Sequence, residues 1–237
     1  DFTDTEKKAL TWIITKISKA RNDDFMNSPW NIVKFKDIEF NFPHTHIDCI
    51  YLPQNIITSI VNHYNKNNSI LDMQSVVNTL IHEKVHVYQR KSKSKFDRLY
   101  KNWNFSKVKN IKGLEKYKKL VRNNPDANYD TSEYVFSYKG VHLWFDALFD
   151  SDAQNISDTK YIGVYLKKTN SGFQATNQYK DVKEINEFND FFGNISNNYY
   201  HPNEISAELY TLFYLETLGI PINHDSKAYR ILKENLF

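Results

Sequence analysis

Apolar residues recur along the chain in separated runs, and the period of each run predicts its element. Leu10, Ile13, Ile14 and Ile17 trace one face of a helix reaching about Ala20, and Thr3 with Glu6 supplies a capping box at its start. Segments 31–42 and 45–52 are rich in β-branched and aromatic residues and predict strands. Residues 54–65, with Ile56, Ile57, Ile60, Val61 and Tyr64, predict a second helix. A third runs from about Asp72, its expected N-cap, to Arg90, with Val76, Val77, Leu80, Ile81 and Val85 on its apolar positions. After a turn signal at Asn124-Pro125-Asp126-Ala127-Asn128, strands are expected at 132–138, 141–148, 160–166 and 172–179. Helices at about 182–192, 202–218 and 226–235 close the chain. Neither repeats nor a strong linker interrupt it. The expectation is an α+β class and a single domain over 1–237 that shares one core, with a β-rich insertion over 123–181.

The third helix carries the chemistry. His82-Glu83-Lys84-Val85-His86 places two imidazoles four residues apart, on one helical face, where both reach one metal ion. Glu83 lies about 100° further round, suited to touching a water on that metal rather than joining the ligand pair. With 8 His and 11 Glu in the chain, the pentapeptide is expected about 0.01 times by composition, so it is worth following. A catalytic zinc takes three protein ligands and leaves one position open. Position 92 is Ser and position 89 is Gln, which removes a third His close behind the motif, and no Gly-Thr-x-Asp segment follows. His201-Pro202-Asn203-Glu204-Ile205-Ser206-Ala207-Glu208 remains. Pro202 suits the first position of a helix, and Ile205, Leu209, Leu212, Phe213 and Leu215 give that helix an apolar face. Glu204 falls in its first turn and Glu208 one turn on, where a second carboxylate can accept the free ring N–H of a ligating His.

His-Glu-x-x-His with a downstream Asn-Glu-x-x-x-Glu on a second helix resembles the gluzincin family of zinc metallopeptidases. The resemblance implies one Zn²⁺ held by His82, His86 and Glu204, with Glu83 as general base and Glu208 behind the ligands. It implies a zincin-like core in which a mixed sheet precedes the motif, and an edge strand that binds an extended peptide by strand addition. The fuller phrasing, His-Glu-x-x-His-x-Tyr-Gln with His-Pro-x-Glu-Ile-x-Ala-Glu, is similar to zinc peptidases encoded by large DNA viruses. The family uses a His or Tyr to stabilise the oxyanion; Tyr199, Tyr200, His201 and His142 are candidates here. His201 is the first choice because it sits three residues before Glu204, with a cap or packing role at the helix start as the alternative. Two features depart from the family. Lys84 occupies a position usually uncharged, where it is expected to face solvent. The 118 positions from His86 to Glu204 exceed the spacing in thermolysin, which calls for an inserted region.

Charge adds a second reading. The net charge of +3 conceals 14 Lys/Arg against 2 Asp/Glu from Lys84 to Arg122, a local balance of +12 against −9 elsewhere. Phe96, Tyr100, Trp103, Phe105 and Tyr117 are interleaved with these cations. One reading is a docking surface for an acidic partner, a nucleic acid or a membrane surface, as in a non-catalytic zinc-containing virion protein. The other is a solvated helical face with its aromatics turned inward. His44 and His46 alternate on a predicted strand near Asp48, a weaker candidate for a second metal site. No run has the length of a transmembrane helix. One Cys excludes a disulfide framework and is compatible with a reducing compartment without requiring one, with Cys49 expected as a small buried side chain; an intracellular or virion setting is favoured over a secreted one. The first residue is Asp, so a signal or propeptide ahead of it stays open.

Overall fold

The computed structural model of the chain describes residues 1–36, 41–122, 124, 126, 133–149, 158–195 and 198–235. It has the expected α+β composition. No helix among the described residues is long and apolar enough to cross a membrane. The chain divides into two compact units, Asp1–Lys93 with Ala207–Asn223, and Ser94–Ser206 with His224–Phe237. The division falls inside one continuous helix, α8 (Pro202–Thr217), which therefore contributes to both.

In the first unit, α1 (Asp4–Ser18) opens on the predicted capping box between Thr3 and Glu6. A short α2 (Asp24–Asn27) is capped by Asp23. Three strands follow, β1 (Asn31–Phe35), β2 (His44–His46) and β3 (Cys49–Pro53). They form a mixed sheet in the order β1-β3-β2, with β1 parallel and β2 antiparallel to the central β3. The expected strand 45–52 is thus two strands, folded at a two-residue turn where Ile47 takes a left-handed φ of 56°. A β-branched residue is a poor occupant of that region, so no turn signal marks it in the sequence. The expected strand 31–42 ends at Phe35; positions 37–40 lie outside the described residues. Helix α3 (Gln54–Asn65) matches its predicted bounds. Cys49 is half-buried, with burial foremost and Asp48 next pushing its thiol pKa up.

The motif helix is α4 (Gln74–Lys91), preceded by a 3₁₀ turn at Leu71–Met73. Asp72 does not cap it. Its carboxylate accepts the backbone N–H and hydroxyl of Ser69 at 2.9 and 2.7 Å, while Met73 holds the cap position without a side-chain bond. From Glu83 to Gln89 every residue of α4 is buried. Lys84 accordingly does not reach solvent: it is 1% exposed and donates to the Ser28 carbonyl at 2.8 Å. Its ammonium lies 4.1 Å from the Trp30 ring centroid, over an aromatic face that attracts a desolvated cation. Burial, and secondarily Lys91, lowers its pKa to about 7.

The second unit is built on a six-stranded sheet, order β4-β6-β7-β8-β9-β5. Its strands are β4 (Phe105–Val108), β5 (Ile111–Lys112), β6 (Glu133–Tyr138), β7 (Val141–Leu148), β8 (Lys160–Thr169) and β9 (Gly172–Asp181). All neighbours are antiparallel except β5 and β9. The sheet starts at Phe105, inside the basic segment, which beyond α4 forms α5 (Lys93–Asn102), two strands and the short α6 (Glu115–Lys118) and is therefore helical only in part. The inward-facing alternative describes its aromatics: Phe96, Tyr100, Trp103, Phe105 and Tyr117 are all buried. One sheet face packs Val135, Trp144, Leu148, Ile162 and Val164 with Leu114 and Tyr117. On the other, Phe136 and Phe145 meet Phe188, Phe191 and Phe192 around α7 (Asn186–Phe192). Gly163 is closely covered on that face: a Cβ there would come within 2.4 Å of Ile185 Cδ1 and 3.0 Å of the Phe145 ring. The chain closes with α9 (Lys227–Asn235), against which Trp103 donates its indole N–H to the Ala228 carbonyl.

Candidate metal centre

On α4 the i, i+4 spacing brings the two imidazoles together. His82 Nε2 and His86 Nε2 are 3.1 Å apart, with the rings edge to face. Two nitrogens on one tetrahedral zinc, each at about 2.05 Å, stand about 3.3 Å apart, so this spacing suits a shared ion. A polar side chain stands behind each outer nitrogen. His86 Nδ1 lies 3.0 Å from Gln89 Oε1, and a proton there leaves the Nε2 lone pair facing His82. His82 Nδ1 faces Glu208 Oε1 at 3.8 Å, longer than a hydrogen bond. Gln89 is fully buried and touches a metal-ligand candidate, a role that was missed in the sequence. Its place at His86 plus three on the same helix was the available signal. Glu83 is buried in the same turn of α4.

The start of α8 is organised by a buried polar network. His201 precedes Pro202, and its Nδ1 accepts the Asn203 backbone N–H at 3.2 Å, the cap role weighed for it from sequence. Its ring also stands edge-on to Tyr134. Asn203 accepts from the Tyr100 hydroxyl at 2.9 Å and donates to the Asp126 carbonyl at 3.2 Å. Glu204, 2% exposed, accepts from Asn124 Nδ2 at 3.0 Å. The same Asn124 amide donates to the Tyr200 hydroxyl at 2.5 Å and accepts the Asp126 backbone N–H at 2.9 Å. Burial, and next the Glu204 carboxylate, push the Tyr200 pKa up, so its phenol stays protonated. In the sequence Asn124 reads only as part of a turn; Pro125, Ala127 and Asn128 of that turn lie outside the described residues.

Because α8 is continuous, Glu204 lies one turn before Glu208 on the same face. Donor atoms of His82, His86 and Glu204 all lie within 4.8 Å of one another, and this group can hold a metal ion. Two imidazoles and a carboxylate form a mixed N/O set that suits zinc and its first-row neighbours. No second such group occurs among the described residues. His44 instead stacks on Tyr51 with its Nδ1 3.1 Å from the Phe42 carbonyl, and His46 is exposed. His142 bonds Ser137 Oγ at 2.7 Å and abuts Phe173; burial lowers its pKa. Tyr199 packs on Tyr161 and Phe188, beneath the Lys183 ammonium. No protein-family model, curated protein or solved structure matches the chain.

Proposed function

We propose that the protein is a zinc-dependent peptidase of gluzincin type, with His82, His86 and Glu204 as metal ligands on a zincin-like core. The observation that carries this reading is the approach of those three donor atoms to within 4.8 Å of one another. The intact Glu83 beside them supports catalysis, because a purely structural zinc site has no need of a base.

A zinc ion held by these side chains supplies Lewis acidity and lowers the pKa of water toward about 7. Glu83 accepts the proton of the attacking water on its carboxylate and returns it to the departing amine nitrogen. Gln89 accepts the Nδ1 proton of His86, which fixes that tautomer, and Glu208 stands 3.8 Å behind His82 Nδ1. His201, whose Nδ1 is occupied as an acceptor, carries its proton on Nε2 and supplies an oxyanion donor. β2 stands at one edge of the three-stranded sheet, the place where an extended peptide substrate would add as a strand, with its Thr45 carbonyl held by Arg90.

Metal analysis of the purified chain beside Glu204→Ala tests the reading. About one zinc per chain is expected in the parent and a large loss in the variant. Undiminished zinc in Glu204→Ala removes Glu204 as a ligand and with it the gluzincin assignment.

A further inference from the structure

We propose that Asn124 is the positioning residue that aims Glu204, fixing the carboxylate before any metal arrives. This inference rests on Glu204 being a metal ligand and adds the residue that orients it.

Glu204 is 2% exposed, so water does little to hold its carboxylate in one rotamer. Asn124 takes over that task. Its side chain has one acceptor oxygen and two N–H donors. The Asp126 backbone N–H can only donate, so the oxygen of Asn124 must face it, at 2.9 Å. That turns the NH₂ group the other way, with one proton toward Tyr200 Oη at 2.5 Å and one toward Glu204 Oε1 at 3.0 Å. Every hydrogen-bonding atom of the amide is thereby used, and the assignment of its two ends follows from the partners. Tyr200 is itself held: its ring stacks on Tyr161 at 5.3 Å and 18° and is 2% exposed. Asn203, one residue before Glu204, donates to the carbonyl of the same Asp126. The segment carrying Asn124 and the first turn of α8 are thus tied at two points. An N–H on Oε1 leaves the other carboxylate oxygen as the better donor to a cation, so the ligand is single-toothed. Groups behind metal ligands typically contribute 10- to 100-fold in metal affinity.

Asn124→Asp separates this role from a structural one. The aspartate keeps the shape and still accepts the Asp126 N–H, but it replaces the N–H donor with a second carboxylate facing Glu204. Zinc affinity would be measured by competition with a chromogenic chelator, and the ligand field by cobalt(II) substitution. Melting of the metal-free protein would be followed alongside, with Asn124→Ala as a second variant and Glu204→Ala as the control. The expected result is a 10- to 100-fold weaker zinc constant and an altered cobalt spectrum in both Asn124 variants. Metal-free Asn124→Asp should melt below the parent, because two carboxylates then face each other in a buried site, yet stay folded at the assay temperature. Parental zinc affinity and cobalt spectrum in either folded Asn124 variant would overturn the proposal while leaving Glu204 a ligand. Parental zinc binding by Glu204→Ala would overturn the metal reading itself.

Discussion

Glu6 ties three elements of the first unit together, and replacing it by Gln gives a measurable result. Its Oε2 accepts the Thr3 backbone N–H at 2.7 Å and the Lys34 ammonium at 2.8 Å; its Oε1 accepts the Gln54 amide at 3.1 Å. One carboxylate therefore joins the start of α1, strand β1 and the start of α3. The Lys34 bond first, then those from Thr3 and Gln54, hold its pKa at about 2 against an ordinary 4.5. Its side chain is 10% exposed, so solvent screens the cluster only in part. A fall of about 2.5 units corresponds to about 3 kcal/mol of stabilisation. The folded pKa lies below the unfolded one, so the unfolded chain binds more protons between about pH 4.5 and 2. The stabilisation is complete above that window and is lost as pH falls through about 2. Glu6→Gln keeps the size but sets an NH₂ against donors. Urea denaturation of parent and variant at pH 7, 5, 4 and 3 should show a gap of about 2–3 kcal/mol at neutral pH that narrows steadily below pH 4.5. A gap that is absent at pH 7, or that stays constant down to pH 3, would refute the reasoning.

Two further substitutions probe buried charges. Lys84→Met retains the buried stem and should change stability by less than about 1.5 kcal/mol, while Lys84→Ala leaves a cavity and should cost about 2–4 kcal/mol. Equal and negligible effects in denaturant melts would mean that the side chain faces solvent after all. Asp146 lies in the second unit, 9% exposed, and burial foremost raises its pKa to about 8, with Glu133 adding to the rise. Its folded state binds the extra proton between about pH 4 and 8, so stability from this group falls across that window as pH rises. Asp146→Asn, which can still accept the Ala147 N–H, should stabilise by a few kcal/mol at pH 8 and by little at pH 4. A thermal-melt difference independent of pH would contradict this.

The sequence made local periodicity legible and left distant partnership hidden. Helix α3 falls where Ile56, Ile57 and Ile60 place it, and the β6–β9 hairpins start where predicted, because those signals are local. The split of the 45–52 strand was not visible, since the turn depends on Ile47 adopting a φ that its side chain disfavours. Strands β4 and β5 were hidden in the basic segment, where Phe105, Val108 and Ile111 recur three positions apart and so also fit one face of an amphipathic helix. Lys84 was misplaced toward solvent because its burial depends on Ser28 and Trp30, more than fifty positions away. The candidate site shows the same division. His82, Glu83 and His86 are a spacing within one turn, and Glu204 with Glu208 a spacing within another. Asn124 lies 80 positions from Glu204 and announces itself only through a turn dipeptide.

The central claim is that Glu83 is the base of a metal-dependent peptidase. Glu83→Gln removes the proton acceptor while leaving all three ligand side chains in place. Zinc content and cleavage of an unfolded protein substrate should be measured on the same preparations of parent and variant. The account predicts unchanged zinc, about one per chain, and a loss of cleavage of at least about 100-fold. Cleavage at the parental rate by zinc-loaded Glu83→Gln would contradict it.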